Sequence, residues 1–169
     1  MAIDAFVQPL LRVELFQGLK PLQITEIARR ADRIVFRPGD VIVAEDTTGD
    51  AAILIVQGEA ARVSGPGCRS EVEPVAPGSL VGEMAMLVDT VHSSTVVARS
   101  AVRALRISRA ELHEQMAADP DLAEHFVSRI TGRLGRLAAE LRAIDSVLDR
   151  SSRQLGDGRA DARVSATFH

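Results

Sequence analysis

Gly82 and Glu83 stand side by side in a stretch, Val81 to Ser94, whose residue types suit the capture of an anion. A glycine lets the backbone approach a bound group closely, and the turn from Glu83 to Leu87 would present N–H donors at a helix start. The amides of Met84, Ala85, Ser93 and Ser94, with the two serine hydroxyls, form a donor set that a phosphate could use. Glu83 complicates this, because a carboxylate beside a phosphate repels it unless a cation offsets the charge. The side chain available for that is His92. An imidazole of ordinary pKa, about 6.5, is mostly neutral at cytosolic pH and then has one donor. His92 also reads as a solvated loop histidine, and Glu83 as a carboxylate capping local N–H groups.

Other chemistries lack their residues. His92, His113, His125 and His169 show no HxH or HxxxH spacing, so a metal-dependent enzyme is not expected. A single cysteine, Cys68, excludes an internal disulfide, a CxxC pair and an all-cysteine cluster. No nucleophile has a base beside it and no Walker-type loop is present, so neither enzyme activity nor a resident metal or cofactor is expected.

The elements that must position these residues are legible. Helix-compatible apolar spacing from Phe6 to Ala31, broken by Gly18 and Pro21, predicts two short helices. Short β-branched runs follow at 33–37, 41–44, 51–57, 60–64, 71–75, 94–98 and 102–107. They are divided by Pro38-Gly39-Asp40, Thr48-Gly49-Asp50, Gln57-Gly58-Glu59, the loop Gly65-Pro66-Gly67 and Ala76-Pro77-Gly78. Turns so closely spaced mean antiparallel β structure. Ser108 with Glu111 predicts a capped helix through Met116. Asp119 as N-cap and Pro120 at the first helical position open a long helix. Its stripe is Leu122, Phe126, Ile130, Leu134, Leu137, Leu141, Ile144 and Leu148. Arg129, Arg133 and Arg136 lie on one side of it, and Gly132 and Gly135 would suit a bend or a close helix approach. Beyond Arg150 the pattern ends, and 151–169 is expected to be a disordered tail.

The 169 residues, 46% hydrophobic, are enough for one packed core plus an appendage. A net charge of -3 gives no general attraction for DNA or another polyanion. Met1 to Gln17 carries Asp4, Arg12 and Glu14 without a long apolar run, so neither a secretory signal nor a membrane span is expected there. The location expected is the cytoplasm.

The run Val81 to Ala98, VGEMAMLVDTVHSSTVVA, resembles the phosphate-binding cassette of cyclic-nucleotide-binding domains. PGD at 38–40, GDAAILIVQGEA at 49–60 and PGSLVGE at 77–83 extend the likeness from about Leu15 to about Leu141. The resemblance implies a mainly β fold with flanking helices: an antiparallel β-roll of the cupin-like jelly-roll kind, short N-terminal helices and a long C-terminal helix that often dimerises. It implies that Glu83 accepts a hydrogen bond from a ribose hydroxyl. Where the family usually has proline and a phosphate-binding arginine, this chain has Val91 and His92. Catabolite-activator-like members place two hydroxyl residues on the long helix against the base, and the matching positions here are Leu137 and Ala138.

The resulting expectation is a stand-alone regulatory domain over 1–150, its long helix running from about 119 to 150. Its ligand would be a cyclic nucleotide, cAMP or cGMP, or another small anion. The candidate ligand residues are Val81, Gly82, Glu83, Met84, Ala85, His92, Ser93, Ser94 and Arg133. The alternative is a ligand-free interaction or scaffold domain serving an unknown protein partner. A homodimer is expected through Phe126, Ile130, Leu134, Leu137, Leu141, Ile144 and Leu148, because one small roll cannot cover so long a stripe. Only 19 residues follow Arg150, too few for a winged helix-turn-helix, so direct DNA binding is not expected.

Overall fold

The structure is a computed structural model and describes residues 4–64 and 71–160. The expected loop at Gly65-Pro66-Gly67, Cys68 and the tail residues 161–169 lie outside the described residues. The chain divides into two compact units, Met1–His125 and Phe126–His169.

The first unit opens with α1 (Asp4–Arg12), a 3-10 turn (Glu14–Phe16) and α2 (Pro21–Arg30). Pro21 starts α2 where its missing N–H costs nothing, and the Gln23 side chain accepts from the Lys20 N–H at 2.9 Å. Then come β1 (Asp32–Phe36), β2 (Val41–Val43), β3 (Thr48–Gly49), β4 (Ala51–Gln57), β5 (Ala60–Ser64) and β6 (Glu71–Val75). They are followed by β7 (Leu80–Val81), β8 (Thr90–Val91), β9 (Thr95–Ala98), β10 (Val102–Ser108) and α3 (Arg109–Ala118).

The pairings are antiparallel. One sheet runs β1-β10-β4-β7, another β2-β9-β5-β6, and β3 pairs with β8 as a small third sheet. This is the expected roll with its flanking helices. Strand alternation explains why β4 is buried on both faces. Ile53 and Ile55 join Ala60, Val75, Val81, Val96, Ala98, Val102 and Ala104 in the inner core. Leu54, paired with Leu105, faces the other way, and both are fully buried where α1, α2 and α3 meet β4 and β10. Gly58 (φ +97) turns β4 into β5, and a Cβ on it would run into the Ala101 carbonyl oxygen.

The three strands that the sequence pattern did not indicate, β3, β7 and β8, have two residues each. Two residues carry no readable alternation, and here they occupy glycine-flanked segments that read as turns. Ser108 caps α3, its hydroxyl accepting from the Glu111 N–H at 3.2 Å.

The last helix, α4 (Pro120–Ala160), begins where the Asp119 carboxylate accepts from the Leu122 N–H at 3.2 Å. It continues ten residues past the boundary expected at Arg150, so 151–160 is helical rather than tail. Extending an existing helix needs no new nucleus, so a segment without an apolar stripe can follow one that has it. In the second unit, Phe126 is buried and Ile130 half-buried, whereas Leu134, Leu137, Leu141, Ile144 and Leu148 are each more than half exposed. The uncovered stripe therefore begins at Leu134. Among the described residues, no helix is long and apolar enough to cross a membrane.

Candidate functional site

β7 delivers the chain into the site. Val81 is held in the inner core at 2% exposure. Gly82 then takes the left-handed conformation (φ 67, ψ 35), one that favours glycine. The turn begins with Glu83. It is a single 3-10 turn, Glu83–Met86, and not the start of a longer helix. It therefore contributes little dipole, and its Ala85 N–H already donates to the Gly82 carbonyl at 2.9 Å. The Leu87 and Val88 amides both donate to the Met84 carbonyl, at 3.0 and 2.9 Å. The free-amide array expected at this point is thus partly used up in closing the turn.

The segment after the turn is pinned by backbone. β8 pairs with β3, the His92 N–H donates to the Thr47 carbonyl at 2.9 Å, and the His92 carbonyl accepts from the Asp46 N–H at 2.9 Å. The imidazole lies against two glycines. A Cβ built on Gly49 would be 2.8 Å from Nε2 and 2.5 Å from the Ala85 Cβ, and one on Gly82 would be 2.8 Å from Cε1. His92 is therefore a packed side chain on the Gly82 backbone, half-buried and without a hydrogen bond from its ring to any described residue. Ser93 and Ser94 follow it, and their hydroxyls likewise have no partner among the described residues.

His92 and Gly49 also line a cavity of about 400 Å³ whose walls include Ile34, Phe36, Ile42, Val43 and Ile53. Gly82, Glu83 and Ala85 do not line it. Thr47, Thr48, Asp50 and Arg106 supply the polar part of its lining. Arg133 is placed in the second unit, on the solvent-exposed stretch of α4. Among the described residues, no three His, Cys, Asp or Glu side chains converge to hold a metal ion.

Two sets of polar contacts were not apparent from the sequence. Arg109, the first residue of α3, donates through Nη1 to the carbonyls of Val88 (2.8 Å), Gly49 (3.2 Å) and Ala85 (3.4 Å). Its Nη2 stands 3.5 Å from Asp89. One guanidinium thus ties β3, the 3-10 turn and α3 together, and His113 Nε2 adds a 2.8 Å hydrogen bond to the Leu87 carbonyl. The second is an ion pair on the inner face of β5 and β6, Arg62 Nη1 to Glu73 Oε2 at 3.1 Å. The signal for it was an arginine set between apolar neighbours, Ala60, Ala61 and Val63. For Arg109 there was no local signal, since its acceptors lie 21 to 60 residues away in sequence.

Comparison with known proteins agrees with this geometry. The profile of the Cyclic nucleotide-binding domain family matches residues 33–119. A cAMP-dependent protein kinase regulatory subunit of Aspergillus fumigatus is 34% identical over 110 residues, 63% of this chain and 25% of that protein. A cyclic nucleotide-gated potassium channel of Mesorhizobium japonicum is 32% identical over 127 residues, 75% of this chain and 34% of the channel. The chain spans well under two thirds of the length of these relatives. Among solved structures, a cyclic nucleotide-binding-like protein of Brucella abortus superposes with a TM-score of 0.63 at 30% identity, covering 68% of this chain and 99% of that one. The N-terminal domain of a Streptomyces coelicolor transcriptional regulator shares the fold at a TM-score of 0.71 and 21% identity, over 78% and 94% of the two chains.

Proposed function

From the premise that this chain belongs to the cyclic nucleotide-binding domain family, we propose that it is a regulatory module that binds cAMP, cGMP or a related small anion at the Gly82–Glu83 turn. It then signals through α4. The observation that carries this is the backbone at Gly82: a left-handed glycine directly before Glu83, held in place by β7 on one side and by Arg109 on the other. Such a turn brings the backbone close to a phosphate and Glu83 to a ribose hydroxyl that it can accept from, with the Ser93 and Ser94 hydroxyls as donors. Binding is expected to be weak where His92 replaces a guanidinium, since an imidazole lacks the always-charged fork that grips a phosphate. Signalling would require the ligand to favour one packing of α4 over another, and by no more than its difference in affinity for the two. No catalytic residue is assigned, and a homodimer through the exposed stripe of α4 is the assembly proposed.

The test is titration calorimetry of the full chain with cAMP and cGMP, with a thermal-shift series alongside. Heat and stabilisation at micromolar to millimolar nucleotide support the reading; silence at millimolar concentration removes it. A second reading, a ligand-free interaction domain, is favoured by one observation: the His92 ring packs on Gly82 with no charged partner. Under it, His92→Arg would create nucleotide binding where the natural chain has none.

A further inference from the structure

The inner face of the roll carries a charge that its position does not require. β5 lies between β9 and β6, and the register sets Ala60 opposite Val75 and Ala98, and Arg62 opposite Glu73 and Val96. Ala60, Val75, Ala98 and Val96 all belong to the inner core. Side chains on a strand return to the same face every second residue, so Arg62 and Glu73 point inward with them. Strand β6 enters the turn at 76–79 from Val75, and β7 leaves it at Leu80 toward Gly82. β6 and β7 are edge strands of the two sheets, and this one turn leads the chain from the strand that carries Glu73, the cross-strand neighbour of Arg62, to Gly82.

The guanidinium is poorly satisfied there. One Nη pairs with Glu73, itself about two-thirds exposed, while Arg62 Nε is buried with no hydrogen-bond partner. An aliphatic residue would fill the same strand position without leaving a buried donor unpaired. A guanidinium is the group whose fork matches a phosphate, and it is the group missing at position 92. Resting on the cyclic-nucleotide reading above, we propose that Arg62 is the cation of this site. It is held by Glu73 in the ligand-free chain and exchanges that carboxylate for the phosphate of the bound nucleotide.

The experiment is calorimetric titration of cAMP and cGMP into the full chain and into Arg62→Gln, Arg62→Lys and Glu73→Gln, each first checked by circular dichroism. Arg62→Gln is expected to weaken binding about 30-fold or more, Arg62→Lys to fall between it and the natural chain, and Glu73→Gln to tighten binding by removing the competing carboxylate. If the natural chain binds nucleotide and Arg62→Gln binds as tightly or more tightly, the Arg62 assignment is overturned while the nucleotide reading stands. If neither the natural chain nor Glu73→Gln binds, both fall. Glu73→Gln keeps the test decisive even if the Arg62 variants do not fold.

Discussion

The imidazole of His92 occupies the space that a side chain on Gly82 would need: a Cβ there would stand 2.8 Å from Cε1 and 3.3 Å from Nδ1. Two separate costs therefore fall on Gly82→Ala, the clash and the left-handed backbone at φ +67, the latter about 1–2 kcal/mol. The variant is expected to lose about 2–5 kcal/mol in denaturant unfolding, the clash adding about 1–3 kcal/mol. Combining it with His92→Ala should recover the clash and leave the backbone cost. If the two changes simply add, the ring and the glycine are not in contact.

Arg109 joins three segments through one side chain, so its removal should loosen the turn more than the domain. Arg109→Leu frees the carbonyls of Gly49, Ala85 and Val88 from a charged donor, a loss of about 1.5–3 kcal/mol. Hydrogen exchange should quicken first at the Ala85, Leu87 and Val88 amides while the β4 and β10 amides keep their protection. Uniform quickening throughout the roll would mean that Arg109 supports the whole core and has no special role at the turn.

The roll could be read from sequence wherever a strand was long enough to show alternation and ended at a glycine turn, as β4 and β5 do. The N-caps Ser108 and Asp119 were legible because capping is a local hydrogen bond. What escaped was set by register and by distance along the chain. Arg62 faces Glu73 only because β5 and β6 align as they do, and Arg109 reaches its acceptors only after β3 and the turn have folded. The use of the Ala85 amide inside the turn was equally hidden, since a single 3-10 turn and the start of a longer helix look alike over four residues. His92 was readable as a departure from the family, but not its packing on Gly49 and Gly82.

Acid should weaken the fold through two carboxylates on its helical side. Hydrogen bonds from Arg29 and then Arg30 hold the Glu26 carboxyl below its ordinary 4.5, and the Gln23 side chain and Leu122 N–H hold Asp119 below 3.8. A depressed folded-state pKa gives stability that is present above the unfolded value and lost as pH falls through the folded one. Melting temperature is therefore expected to fall from about pH 5 to pH 3. Glu26→Gln and Asp119→Asn should each flatten that fall. Both groups are half-buried and still reach solvent, so added salt should shrink the difference. A variant that falls as steeply as the natural chain at low salt would contradict the assignment.

The uncovered stripe of α4 supplies the last test. Leu134, Leu137, Leu141, Ile144 and Leu148 recur at intervals of three and four and are each more than half exposed in the single chain, the pattern of a helix seam awaiting a second helix. The full chain should sediment as a dimer at tens of micromolar, and Leu141→Glu should shift it to monomer while leaving the spectrum of the roll unchanged. Gly132 and Gly135 serve as controls. With about 3.6 residues per turn they fall away from that stripe, and a Cβ on either would meet nothing within 4 Å. Alanine at either position should raise helix stability by up to about 1 kcal/mol and leave the dimer intact. A natural chain that stays monomeric, or alanine variants that dissociate it, would place the seam elsewhere on α4 or remove it.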